Sequence, residues 1–145
     1  MIESLSTYLI GLFGGISVGI QSPITAMMGA RVGSLAGSFI LHSGGALISL
    51  ILLIARGGEK IADWRALPLY MLGSGVFGMV LILTLSYTIP RLGASAGVTL
   101  MMVGQLITSM IIDHFGWLGT VARPIDLTRL AGAGFLLLGG YLMTR

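Results

Sequence analysis

The sequence predicts an all-α, polytopic membrane protein with about five transmembrane helices. Three observations carry that prediction. Only 9% of the 145 residues are charged and 55% are hydrophobic, whereas a soluble domain carries roughly a quarter charged residues. A mean hydropathy of +1.00 leaves too little polar surface to cover a water-soluble globule of this size. Apolar runs near the roughly 20 residues that cross a bilayer core recur along the chain, cut by short polar punctuation. The 23 glycines suit the same class, because glycine lets membrane helices approach closely.

The first span runs from about Leu5 to Gln21 (5–21). Ser22 and Pro23 then read as a helix start, with serine at the cap and proline in the first turn. Residues 22–33, "SPITAMMGARVG", are expected to form a kinked extension or a short interfacial helix. The second span is about Ser34 to Ile54 (34–54), and the third about Leu69 to Thr88 (69–88), ending before Pro90. The fourth covers about Ala94 to Asp113 (94–113). The fifth covers about Leu130 to Met143 (130–143), with its start drawn toward Asp126. The loops are short, so residues 1–145 read as a single transmembrane domain.

Five spans put the termini on opposite sides of the membrane. Arg56, Lys60, Arg65, Arg123 and Arg129 fall on the side of the N-terminus, and Arg31, Arg91 and Arg145 on the other. Five against three favours a cytoplasmic N-terminus only slightly, and so small a bias suits a chain that inserts both ways. Trp64 and Trp117 fall in loops on one side, with Tyr87 and Tyr141 near the other interface, as aromatic belts require. Met1 to Ser6 holds Glu3 and no Lys or Arg, unlike the basic start of a secretory signal.

Glycines four residues apart make close-packing faces, since four residues is about one turn. Such pairs or triplets are Gly11, Gly15 and Gly19, then Gly33 and Gly37, then Gly93 and Gly97. They pack either within the chain or against a second copy. A five-helix chain has little lumen of its own, which points a transport pathway toward two subunits.

Polar residues inside the spans share helix faces. Ser38, His42, Gly45 and Ser49 follow one face of the second span. Gln105, Thr108, Ser109 and Ile112 follow one face of the fourth, with Asp113 at its edge, and Gln21 closes the first span. Facing lipid, such groups would cost several kcal/mol each, so they are expected to point inward. His42 reads either as an imidazole bonded to a neighbouring carbonyl or serine, or as a ligand contact or proton acceptor. Gln105 suits an interhelical hydrogen bond or a solute contact. A carboxylate at a helix C-terminus opposes the dipole, so Asp113 is expected to pair with Arg123 or Arg129, while His114 suits that end better. Arg31 and Arg91 read as snorkelling or headgroup contacts.

Several chemistries are unsupported. The absence of cysteine removes disulfides and thiolate chemistry. A net charge of +3 without a basic run gives no nucleic-acid surface. No metal-ligand cluster, phosphate loop or nucleophile elbow is present, so no catalytic residue, metal or cofactor is assigned and an enzyme is not expected. No Asp or Glu stands in the middle of any span, which disfavours a cation exporter built on one central carboxylate.

"GQLITSMIIDHFGWLG" followed by "RPIDLTRLAGAGFLLLGGYLM" resembles the C-terminal half of the YdcZ-type family of the drug/metabolite transporter superfamily. "GISVGIQSPITAMMGARVGS" and "RLGASAGVTLMMVGQL" resemble its other marked segments. The similarity covers nearly the whole chain, with the Gln105–Asp113 stretch its most specific part. Thr25 stands where the family commonly carries an asparagine. The resemblance implies five spans, assembly from two oppositely oriented halves, and transport of small molecules.

The reading is one half of an antiparallel, inverted-repeat dimer in the bacterial inner membrane. It is expected to be a homodimer or a heterodimer with a homologous half. Partners are membrane lipid and a small organic solute or metabolite, moved by alternating access. The substrate-pathway candidates are Gln21, Ser38, His42, Gln105, Thr108, Ser109 and Asp113. A dual-topology channel for a small ion or solute and a non-transporting membrane scaffold are the alternatives.

Overall fold

The computed structural model describes the backbone of residues 2–143 and the side chains of residues 5–143. Glu3 and Arg145, which entered the signal and charge arguments, lie outside the described side chains. The described residues form helices and turns, with no strand among them. The helices are α1 (Ile2–Val32), α2 (Ser34–Ala55), α3 (Leu69–Leu72), α4 (Gly75–Leu92), α5 (Ala94–Phe115) and α6 (Leu127–Met143). The stretches Leu5–Val32, Ser34–Ala55, Leu69–Leu92 and Ala94–Phe115 are each long and apolar enough to cross a membrane. The 17 residues of α6 reach about 25 Å at 1.5 Å per residue, a little short of a bilayer core.

The chain divides into two compact units, one ending at Tyr87 and the next beginning at Thr88, with α4 running across the division. In the first unit α1 passes unbroken through Pro23. The expected helix start at Ser22 is therefore corrected. Instead of capping forward, the Ser22 hydroxyl donates back to the Val18 carbonyl at 2.7 Å. Proline removes the backbone donor to the Gly19 carbonyl, a loss that a membrane helix tolerates when neighbouring helices pack against the turn. Continuity lines Ser22, Thr25, Ala26 and Gly29 along one side, and all four are buried. This small-residue stripe lets α1 pack closely on α2. A Cβ added at Gly37 would stand 3.3 Å from the Gly29 backbone nitrogen.

Gly33 joins α1 to α2 without a loop, and Gly93 joins α4 to α5 in the same way. Their backbones sit at φ 91°, ψ 146° and φ 83°, ψ 162°, a region essentially restricted to glycine. The segments Arg31-Val32-Gly33-Ser34-Leu35-Ala36-Gly37 and Arg91-Leu92-Gly93-Ala94-Ser95-Ala96-Gly97 repeat one pattern. Their hydrogen bonds repeat as well. Gly33 and Gly37 donate to Gly29 and Gly33, and Gly93 and Gly97 to Ile89 and Gly93. A Cβ on Gly97 would meet Ile89 and Thr88, at positions equivalent to those Gly37 meets in the first hairpin. The third span was expected to stop before Pro90, yet α4 continues to Leu92. A proline in the last turn costs little, since the helix is about to end there.

The second unit is α5 packed on α6. Gly140 closes the contact, because a Cβ there would lie 3.3 Å from Thr99 Cγ2. The start of α6 lies at Asp126, as the sequence suggested, because Asp126 Oδ1 accepts the Arg129 backbone N–H at 2.7 Å. That is an N-cap bond to the third helical residue. Large apolar side chains mostly point outward in both units, among them Phe13, Phe39, Phe77 and Phe135. Lipid is as apolar as these side chains, so close approach of small residues holds such helices together.

Candidate functional site

On α2, His42 is held by the turn that precedes it. Its Nδ1 lies 2.8 Å from the Ser38 carbonyl oxygen. A carbonyl only accepts, so Nδ1 donates this bond. Ser38 is buried, and its hydroxyl lies 3.3 Å from the same nitrogen. Nε2 faces α4 where there is no side chain, since a Cβ on Gly78 would stand 2.8 Å from it. No hydrogen bond to Nε2 is present among the described residues. The bonded-imidazole reading of His42 thus describes Nδ1, and Nε2 remains without a partner among the described residues. Gly45 and Ser49, expected on the same face, are exposed.

On α5, Gln105 stands half-way along the helix, exposed and without a hydrogen bond among the described residues. Thr108 and Ser109 are also exposed. Below Gln105, α5 and α6 enclose a cleft of about 380 Å³. Leu106, Ser109, Met110 and Asp113 line it from α5, and Arg129, Gly132, Ala133 and Leu136 from α6. Gln21, on α1, is exposed and unbonded among the described residues.

The end of that cleft is fastened by the α5–α6 connection. Asp113 was expected to form a salt bridge with Arg123 or Arg129, and the side chain that faces its carboxylate is that of Arg129. The Arg129 guanidinium lies 3.8 Å from the Asp113 carboxylate, while the Arg123 backbone N–H donates to the Asp113 carbonyl at 2.7 Å. Arg129 Nη1 also donates to the Arg123 carbonyl at 3.3 Å. His114 Nδ1 accepts the Ile125 N–H at 3.1 Å, so that nitrogen holds a lone pair. Gly116 then turns the chain in the left-handed region, so close to Ala122 that a Cβ would lie 3.2 Å from the alanine's own. His114, Phe115 and Trp117 stack or meet edge-on beside the turn.

The expected glycine faces divide. Gly37 and Gly97 pack tightly. Gly33 and Gly93 are junction residues with open space around them, their role being backbone conformation. A Cβ built at Gly11, Gly15 or Gly19 meets nothing within 4 Å among the described residues.

Compared with known protein families, residues 6–142 match the model of the DMT YdcZ family, described as an inner membrane exporter. The chain belongs to the YdcZ family. As a YdcZ family member it is a multi-pass membrane transporter of the inner membrane. The match spans both hairpins and the α5–α6 cleft, and bears out the resemblance carried by the Gln105–Asp113 stretch. No curated protein and no solved structure matches the chain.

Sequence reasoning missed Gly78, Ser86 and Gly29 in this YdcZ chain, and marked Thr25 only through the family resemblance. Ser86 Oγ is buried without a hydrogen bond and faces the space that a Cβ on Gly29 would take. The signal was present. Ser22, Thr25, Ala26 and Gly29 follow helical spacing, which is visible once Pro23 is allowed inside the helix.

Proposed function

We propose that the protein moves a small organic solute across the inner membrane as an antiparallel pair, either two copies or one copy with a homologous half. Gln105 carries this reading. An exposed, unbonded amide half-way along a membrane span would cost several kcal/mol against lipid. It therefore faces a partner helix or a solute. Thr108 and Ser109 continue the same face toward Asp113, and His42 offers Nε2 from α2. The unpacked Gly11, Gly15 and Gly19 supply a surface against which a second helix can close. Five basic residues against three, Arg56, Lys60, Arg65, Arg123 and Arg129 against Arg31, Arg91 and Arg145, suit insertion in both orientations. Two opposed copies make an inverted repeat, whose rocking about a midplane site gives alternating access.

Flux through liposomes tests this reading, with export of candidate solutes followed by counterflow. Saturable counterflow is expected, whereas unsaturable flux would mean a channel. Gln105→Leu should remain in the membrane and paired, because one intramembrane hydrogen bond contributes only about 0.6 to 2 kcal/mol. Its counterflow should nevertheless be lost. A Gln105→Leu protein that transports normally would make the glutamine a packing residue. Tags on both termini should be reached from both faces of the membrane in cells lacking any homologous half.

A further inference from the structure

The α5–α6 cleft ends in one acid and one base that only partly satisfy each other. Arg129 Nη1 and Asp113 Oδ2 are 3.8 Å apart, beyond the 2.7 to 3.2 Å of a good N–H···O bond. Both side chains remain about a third exposed, at 29% and 36%. The Asp113 carboxylate accepts no hydrogen bond among the described residues, and Arg129 spends one nitrogen on the Arg123 carbonyl. Ser109, one turn back, is likewise unbonded. The two helix ends reinforce this arrangement. The C-terminus of α5 is the negative end of its dipole and the N-terminus of α6 the positive end of its own. The remaining walls, Leu106, Met110 and Leu136, are apolar.

A cation alone would satisfy Asp113 and leave Arg129 without its partner, and an anion alone would do the reverse. A solute carrying both charges replaces one long ion pair with two short charge-assisted bonds. The volume of about 380 Å³ lies in the range of small-ligand pockets. We infer that this cleft binds a zwitterionic amphiphile, with its primary ammonium on Asp113, its carboxylate or phosphate on Arg129, and its apolar body along Leu106, Met110 and Leu136. The inference builds on the reading of Ser109 and Asp113 as pathway residues, and it names the class of solute. Such a head is found both on aminophospholipids and on free apolar amino acids.

Binding to the purified full-length protein in maltoside detergent tests it without any need for flux. The probes are lysophosphatidylethanolamine and phenylalanine as zwitterions, lysophosphatidic acid as the anion alone, and dodecylamine as the cation alone. At least one zwitterion should bind tenfold or more tighter than both single-charge probes, and which one does so identifies lipid or free solute as the source. Asp113→Asn should reduce that zwitterion to the level of lysophosphatidic acid, with binding of lysophosphatidic acid unchanged. Arg129→Gln should reduce it to the level of dodecylamine. A single-charge probe that binds wild-type protein as tightly as the zwitterions overturns the proposal, as does failure of both zwitterions to bind. The wild-type comparison alone decides, should either variant fold poorly. Binding with no flux would count against the transport reading and leave this one standing.

Discussion

His42 and Gly78 fit one another across α2 and α4. The imidazole, tied at Nδ1 to the Ser38 carbonyl, presents Nε2 to a glycine whose absent Cβ would lie only 2.8 Å away. The ring cannot swing aside without giving up the Ser38 bond. Gly78→Ala should therefore destabilise the protein by about 1 to 3 kcal/mol, the usual cost of overpacking. Adding His42→Ala should recover most of the loss. Thermal unfolding in detergent measures both, and a Gly78→Ala protein as stable as wild type would show that the ring is free to move.

Gly33 and Gly93 should be the least replaceable glycines outside the packed contacts. Both hold a backbone that alanine adopts at a cost of about 1 to 3 kcal/mol. Gly33→Ala and Gly93→Ala should each lower the unfolding midpoint, although open space surrounds both residues. Equal stability of either variant would mean that the junction relaxes to an ordinary loop.

Gly11, Gly15 and Gly19 lead to the opposite expectation. No described residue lies within 4 Å of a Cβ built at any of them, so leucine at all three should leave the monomer folded and inserted. Cross-linking in native membranes should then show the loss of the paired species. Retained pairing would move the second copy to another face.

Asp126 fastens the start of α6 through the Arg129 N–H. Asp126→Ala should cost about 0.5 to 2 kcal/mol, and Asp126→Asn much less, since asparagine caps nearly as well. If alanine and asparagine behave alike in unfolding experiments, the cap contributes nothing at this position.

The sequence by itself determined the solvent, and with it the helices. Scarce charge and long apolar runs require that backbone groups bond within each span, and Gly33, Gly93 and Asp126 mark boundaries because backbone conformation and capping are local properties. It also narrowed the ion-pair partner of Asp113 to Arg123 or Arg129, of which the structure has Arg129. Which faces meet was decided only by the tertiary structure. In water, apolar periodicity separates inside from outside. In lipid both sides of a helix are apolar, so Phe77 pointing outward and Ile82 buried look alike in the sequence. Close approach alone distinguishes them, and that depends on which small residue opposes which. Gly29 opposes Ser86, Gly37 opposes Gly29 and Gly78 opposes His42, while the more regular Gly11, Gly15 and Gly19 oppose nothing among the described residues. Pro23 follows the same logic. Its cost is a hydrogen bond, and whether the helix breaks there or continues depends on the packing of its buried side, where Gly37 meets Gly29, which no local spacing reveals.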